Sequence, residues 1–478
     1  MRRQADDKAQ AHHCWPWFSA GRLVTSLRSY QPVPTPLDAI IRVRRRSSRG
    51  NEASMNGTIV AAQLGARAHY AIPRILSAAG LLERFYTDIC AAKGWPRLLR
   101  AVPRDLQPAS VRRLAGRIPW QVPPERLISF PALGLQYGIR RYAARTPTEQ
   151  SAADLWAGRR FSELVAHHGF GAAAGLIAFN SAGLEQLQAA RRSGLWTAVE
   201  QTVAPRSILD RLVAEEHEAF PDWAPPPAAD LFAAEFAARE RAEWEAADVV
   251  LCGSEFVRQG IAESGGPVAR CAVVPYGVDA CFSLPRRHPH RGPLRVLTVG
   301  EIGLRKGSPY VLAAATRLQG CAVFRMVGPC GVRPAALKAL QATVELTGPV
   351  PRAEMAAQFA WADVFLLPSI CEGSAIAVYE ALAARLPVVC TPNTGSVVRD
   401  GVDGFVVPAR DAEAIVERLG LLAKDADRRM EMSQCAGDRA SEFTLEGYGR
   451  RLLAALPASV SSVPAWTHGL PQAVSDVA

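Results

Sequence analysis

The chain has 478 residues, 49% of them hydrophobic, which is enough material for two α/β domains with a core each. Its formal charge of +10 is uneven: residues 1–50 hold ten Lys and Arg against three Asp and Glu, a net +7, leaving +3 for the rest. That remainder shows no concentrated basic face with interleaved aromatics of the kind that grips nucleic acid. The ten cysteines form no CxxC pair, so the usual zinc spacings are excluded.

No run of about 18 uncharged apolar residues could span a membrane, and the basic N-terminus lacks the apolar core and cleavage pattern of a signal peptide. Cys252, Cys321 and Cys390 fall in apolar runs and are expected to be buried thiols, which fits a reducing, cytoplasmic compartment.

Residues 1–54 read as a basic, disordered extension, with the charge run from Arg42 to Gly50 set among Pro, Ser and Gln. Trp15, Trp17 and Phe18 can lie at an anionic membrane interface; an inert extension is the alternative. Met55 directly precedes the first strand and is a second candidate start.

A first α/β domain is expected over residues 55–284. A strand at 58–62 runs into a loop, Gln63 to Arg67, and a helix from His69 to Gly80; a second strand covers 85–89. Residues 94–150 are rich in Arg and Pro, with Trp95, Trp120 and Tyr137 expected mostly as ordinary packing. A helix follows at 155–165, then a strand at 176–179 ending in Asn180 and Ser181, with Ser181 placed to cap the next helix. After a strand at 199–203, Glu215, Glu216 and Glu218 read as a solvated helix face. A helix at 232–247 and strands at 248–252 and 271–275 complete the domain, and 285–293 is the linker.

The second domain is expected over 294–440. Its first strand, 294–300, opens into Gly300-Glu-Ile-Gly-Leu-Arg-Lys-Gly307. Arg305 and Lys306 there can supply the cations a pyrophosphate needs; an exposed basic turn is the plain alternative. The loop is neither a Walker loop nor a dinucleotide fingerprint. Strands at 322–328 and 344–348 follow, the first ending in a ligand-facing turn at Gly328-Pro329.

The richest stretch is DVFLLPSICEGSAIAVYEALAARLPVVCTPNTGSVVRDGVDGFVVP, residues 363–408. It reads as strand, loop, helix, strand, a parallel βαβ unit whose loops open at the carboxyl ends of strands, where such sheets bind ligands. Glu372 precedes the helix and Glu380 lies two turns into it, so one carboxylate can meet each end of an extended ligand, accepting hydrogen bonds from sugar hydroxyls. The Gly373-Ser374 backbone at the helix start suits an anionic group. A helix-start Glu and a solvent-facing Glu are the bland reading. A last helix spans 441–456, followed by a flexible tail at 457–478.

Glu372, seven residues, Glu380 and then ARLPVVCTPNTGS resemble the donor-binding segment of glycosyltransferase family 4, the retaining group of GT-B fold. The resemblance runs from about Gly57 to Leu456, more strongly in the second half. It implies two Rossmann-like domains facing each other across a cleft, with the final helix crossing back to the first.

It also implies that Glu372 contacts the donor sugar and Glu380 the ribose, that the loop bearing Gly65 faces the phosphates and acceptor, and that Gly328, Gly373 and Ser374 line the donor site. Arg305, Lys306 and Glu372 would then be catalytic, with His167 as candidate for the family's first-domain histidine. The chain departs from the family at Arg385, where Gly is usual, and at Glu301, where Arg is usual; Arg305 can compensate for the second.

The implied activity is a retaining hexosyltransferase of bacterial polysaccharide or glycolipid synthesis. Its donor is a nucleotide-diphosphate sugar, and its acceptor a saccharide or lipid-linked molecule. No metal cofactor is required, because the cations can neutralise the leaving group. The protein is expected to be cytoplasmic, with peripheral contact at the inner membrane face and no nucleic-acid partner. The rivals are an epimerase or phosphorylase of similar fold, and a non-catalytic carbohydrate-binding or assembly protein derived from such an enzyme.

Overall fold

The computed structural model describes residues 57–103, 106–225, 228–278 and 292–457. The extension at 1–54 lies outside them, as do nearly all of the linker and the tail. Among the described residues, thirteen strands form two sheets in which every pairing is parallel.

The first sheet contains β1 (Ile59–Gln63), β2 (Leu82–Thr87), β3 (Leu127–Ser129), β4 (Gly175–Phe179), β5 (Trp196–Gln201), β6 (Val249–Cys252) and β7 (Cys271–Val273), in the order β3-β2-β1-β4-β5-β6-β7. The second contains β8 (Leu294–Val299), β9 (Ala322–Val327), β10 (Val344–Gly348), β11 (Val364–Leu367), β12 (Val388–Cys390) and β13 (Gly404–Val406), in the order β10-β9-β8-β11-β12-β13. Parallel neighbours need crossover connections, and the helices that supply them cover both faces. The central strands are therefore buried at every position: IVAAQ in β1, apolar up to Gln63 at its end, and VFLL in β11.

Each sheet reverses its strand order once, between β1 and β4 and between β8 and β11. The loops leaving β1 and β8 thus stand at topological switch points, where a crevice opens beyond the strand ends. The two sheets with their helices face a common cleft, the expected GT-B arrangement.

Two helices tie the domains together. Leu445–Ala455 packs on Ala71–Ala78 of the first domain, with Tyr448 against Tyr276 and the Arg451 guanidinium donating to the Pro275 carbonyl at 3.2 Å. In the other direction, helix Arg206–Ala219 sends Ile208 and Leu212 into one apolar cluster with Leu294, Tyr310 and Val311.

This packing corrects the reading of the Glu run. Glu216 is fully buried, takes hydrogen bonds from Tyr310 Oη (3.0 Å) and Arg410 Nε (2.6 Å), and bridges the domains. Glu215 is half-buried and also pairs with Arg410 at 2.8 Å, so of the three only Glu218 is exposed. Cys252 and Cys390 are buried as expected, whereas Cys321 is exposed at the turn before β9.

Candidate active site

On the second domain, the site grows from contact between two loops. Gly300 and Gly328 end β8 and β9 side by side: a Cβ on Gly328 would lie 2.6 Å from the Gly300 carbonyl carbon. Both have φ in the region that favours glycine, +140° and +151°. Beyond Gly300 the chain turns through Arg305 and Lys306, and the Arg305 carbonyl accepts from Ile370 N at 2.9 Å. That bond laces this loop to the one after β11.

The cations then converge on one carboxylate. Lys306 Nζ is 2.6 Å and Arg305 Nη1 3.0 Å from Glu372 Oε1, and Arg305 Nη1 also donates to the Cys371 carbonyl at 3.1 Å. Burial alone would raise the Glu372 pKa, but the Lys306 ammonium and the Arg305 guanidinium outweigh it and hold the carboxyl below its usual range. Glu301, in place of the family's Arg, is exposed on the same loop.

Glu380 is buried on the first turns of helix Ile376–Ala383 and pairs with Arg352, which follows β10. Burial raises its pKa and Arg352 opposes the rise. Nothing in the sequence pairs Arg352 with Glu380; they meet because β10 and β11 both end at the cleft.

Gly373 and Ser374, the expected anion cradle, are also a contact surface. They form a seam with the first domain. The Glu372 carbonyl accepts from Ala204 N at 3.3 Å, the Gly373 carbonyl accepts from Ser254 Oγ, and a Cβ on Gly373 would lie 2.9 Å from Val203 Cα. The Ser374 hydroxyl is engaged by Tyr379 Oη (2.7 Å) and the Gly395 carbonyl (3.2 Å).

On the first domain, Gly65 has φ +81° with open space where a Cβ would point, and its N–H donates to Asp88 Oδ1 at 3.0 Å. Gln63 Nε2 holds the loop by donating to the Gly65 and Arg67 carbonyls. The expected helix start at His69 is instead a left-handed run, Ala68, His69 and Tyr70 at φ 44°, 51° and 61°, and the helix begins at Ala71. Such backbone costs roughly 1–2 kcal/mol per residue, and strained backbone of this kind clusters at functional loops.

Arg67 reaches across the strand ends to Asn180 Oδ1 (3.3 Å) and Thr202 Oγ1. Ser181 caps no helix: it has φ +67°, its N–H is held by Glu243, and the helix starts at Leu184.

His167 is not brought into this group. It is exposed on the last turn of helix Pro147–His168, which leads into the start of β4. It therefore sits at the amino edge of the sheet, while Gly65, Asn180 and Thr202 sit at the carboxyl edge. Among the described residues, no group of three or more His, Cys, Asp or Glu side chains is placed to hold a metal ion.

Behind the seam, Glu200 on β5 is fully buried and accepts from Tyr276 Oη at 2.6 Å. Burial pushes its pKa up to about 7, against the opposing effects of the Tyr276 hydrogen bond and Arg67. A carboxyl raised from its unfolded value near 4.5 stabilises the fold fully below that pH, and the contribution is lost as pH rises through about 7. Glu200→Gln is therefore expected to gain on the wild type between pH 5 and 8 by about 1–3 kcal/mol. Urea unfolding at the two pH values checks this; a stability difference independent of pH would contradict a protonated Glu200.

Residues 293–425, spanning β8 to β13, match the family model described as Glycosyl transferases group 1. The chain is 31% identical over 173 residues to the amylovoran biosynthesis glycosyltransferase AmsK of Erwinia amylovora, covering 32% of this chain and 42% of that protein. It is 32% identical over 233 residues to the D-inositol 3-phosphate glycosyltransferase of Mycobacterium bovis, covering 44% and 48%. The chain thus spans about half the length of the curated relatives it matches. Among solved structures, Anabaena HepE in complex with UDP superposes with a TM-score of 0.54 at 13% identity, covering 84% of this chain and all of that one, so the likeness is one of fold.

Proposed function

We propose that the protein is a retaining glycosyltransferase that moves a hexose from a nucleotide-diphosphate sugar to a saccharide or lipid-linked acceptor in bacterial polysaccharide or glycolipid synthesis. The observation that carries this reading is the convergence of Lys306 and Arg305 on Glu372 at the switch point of the second domain. Two cations there match the charge that appears on a departing diphosphate. Glu372 would exchange its hold on them for the sugar hydroxyls as the diphosphate arrives. Glu380 would accept from the ribose, turning from Arg352, and Gly328 and Gly300 would let the phosphates approach backbone.

The reacting carbon passes through an oxocarbenium-like state as its bond to the diphosphate breaks, and the acceptor hydroxyl attacks from the same side and gives its proton to the departing phosphate oxygen, which retains configuration. The first-domain loop at Gly65 and the Arg67–Asn180–Thr202 group would face the acceptor. The sequence relatives' names, a biosynthetic glycosyltransferase among them, support the biosynthetic setting.

Calorimetric titration with UDP, GDP and ADP, beside a transfer assay with the matching sugar nucleotides, tests the reading. Lys306→Ala is expected to weaken the preferred diphosphate about tenfold to a hundredfold, the loss of a charge-assisted hydrogen bond of roughly 1.5–3 kcal/mol, and to lose transfer. A folded Lys306→Ala protein that binds and transfers like the wild type would remove this loop from the site. The exposed Glu301 favours one other reading, a non-catalytic relative; diphosphate binding without transfer or donor hydrolysis would select it.

A further inference from the structure

The modest +3 left after residues 1–50 conceals a strong local charge. Residues 93–145 hold eleven Lys and Arg against two Asp and Glu, a net +9, so the remainder of the chain beyond residue 50 is at −6. This corrects the expectation of no concentrated basic face. The segment is the excursion from β2 through β3 into helix Pro131–Ala143.

It also carries apolar side chains in solvent. Leu98 is 65% and Leu106 73% exposed, and Trp95 and Trp120, expected as packing, are 46% and 55% exposed. Gln107 pins Leu106 beside the turn at 95–101 through the Leu99 and Val102 carbonyls, and Gly94 meets Pro131 at the start of the helix.

That helix has two distinct faces. Leu133 and Gly134 are buried, while Tyr137 and Arg141 bond Asp154 on the neighbouring helix at 2.8 and 3.1 Å. Leu135, Ile139 and Tyr142, spaced i, i+4, i+7, form one exposed stripe on the other side. A soluble surface rarely gathers so many large apolar groups. Arg97, Arg100 and Arg112 stand exposed on the same excursion, with no carboxylate partner among the described residues.

We propose that this face docks on an anionic lipid bilayer, with Leu135, Ile139, Tyr142 and the exposed tryptophans entering the headgroup layer and the arginines meeting lipid phosphates. Exposed apolar side chains and exposed Arg on one excursion fit an interface of that chemistry. Nucleic acid would meet the arginines but leave the aliphatic stripe unsatisfied. The excursion leaves β2 at Asp88, the residue that holds Gly65. Docking therefore places the acceptor-side loop next to the bilayer, and the acceptor is lipid-linked. This last step rests on the transferase reading above; the docking itself does not.

Vesicles of three parts phosphatidylcholine to one part phosphatidylglycerol, against phosphatidylcholine alone, test it by co-sedimentation of the full chain with its basic N-terminal residues in place. Wild-type protein is expected to bind only the anionic vesicles. Arg97→Glu/Arg100→Glu/Arg112→Glu should weaken binding about a hundredfold, at roughly fivefold per basic residue. Leu135→Gln/Ile139→Gln/Tyr142→Gln should weaken it at least about tenfold.

Unchanged binding by both folded variants overturns the proposal. So does a loss confined to the charge variant, or equal binding of the apolar variant to a single-stranded oligonucleotide, either of which would assign the face to polyanions. As a second measurement, brominated phosphatidylglycerol should quench tryptophan fluorescence, and Trp95→Phe/Trp120→Phe should lose most of the quench; an undiminished quench overturns docking by this face. Nucleoside diphosphate titration of the same variants should be unchanged. Patch-dependent vesicle binding by a protein that takes up no UDP, GDP or ADP would instead reject the transferase reading and leave the docking surface in place.

Discussion

Replacing Glu372 by Gln is expected to lower sugar transfer by about a hundredfold to a thousandfold while nucleoside diphosphate binds as tightly as to the wild type, or more tightly. In the free protein one oxygen of Glu372 holds both Lys306 (2.6 Å) and Arg305 (3.0 Å). A diphosphate must therefore compete with that carboxylate for the two cations. Glutamine keeps the shape and an acceptor oxygen but gives up the charge, so the cations are left more available.

The donor sugar loses the carboxylate that orients it, a contact that free diphosphate never makes. The variant protein leaves two cations in a half-buried site with less compensation, so its melting temperature should fall and recover on adding diphosphate. Calorimetry with the preferred diphosphate, beside the transfer assay, reads both halves. Parallel loss of diphosphate binding and transfer would mean that Glu372 serves the nucleotide or the fold; wild-type transfer would remove it from the chemistry.

The parallel sheets and the βαβ unit around Glu372 and Glu380 were legible because buried parallel strands are written as short unbroken apolar runs, such as VFLL at 364–367. The Gly–Gly contact at the ends of β8 and β9 left the same kind of trace, glycines at strand ends. What was not legible depends on which surface another element covers. Glu215, Glu216 and Glu218 look alike in sequence, yet the Arg206–Ala219 helix lies on the other domain and turns one of them inward to Tyr310 and Arg410.

The reverse error arose at Trp95 and Trp120, expected as packing yet exposed, and the stripe at Leu135, Ile139 and Tyr142 is hidden in sequence for the same reason. A helical apolar stripe reads as core unless one knows that the opposite face is already bonded to Asp154. Arg385 shows a departure whose physical basis the structure supplies. It sits just past helix Ile376–Ala383 at φ +55°, the left-handed helix-end position that glycine fills at least cost.

Gly373→Ala is expected to shift the domains about 1 Å apart at this seam without unfolding either. No positive φ demands glycine there; space does. An added Cβ would overlap the Thr202 carbonyl oxygen and lie 2.9 Å from Val203 Cα, both backbone atoms of the opposite domain, which cannot swing aside as a side-chain tip can. The seam is tight on its other side too, where a Cβ on Gly395 would sit 2.5 Å from Ser254 Oγ.

The Thr202–Val203 backbone must retreat by about 1 Å to restore normal carbon contacts. The Ala204 N–Glu372 carbonyl and Ser254–Gly373 carbonyl bonds go with it, for a loss of about 1–3 kcal/mol. Misplacement of that size between the donor and acceptor halves can cost about a hundredfold in rate. Lys306, Arg305 and Glu380 all belong to the second domain, so diphosphate affinity should stay within about twofold, well under 1 kcal/mol.

Hydrogen exchange should be faster at Ala204 N, which loses its bond to the Glu372 carbonyl, and Gly420→Ala, where a Cβ meets only one atom at 4.0 Å on a helix, should leave exchange and transfer unchanged. Wild-type exchange and transfer in a folded Gly373→Ala protein would show that this seam does not set the geometry of the cleft.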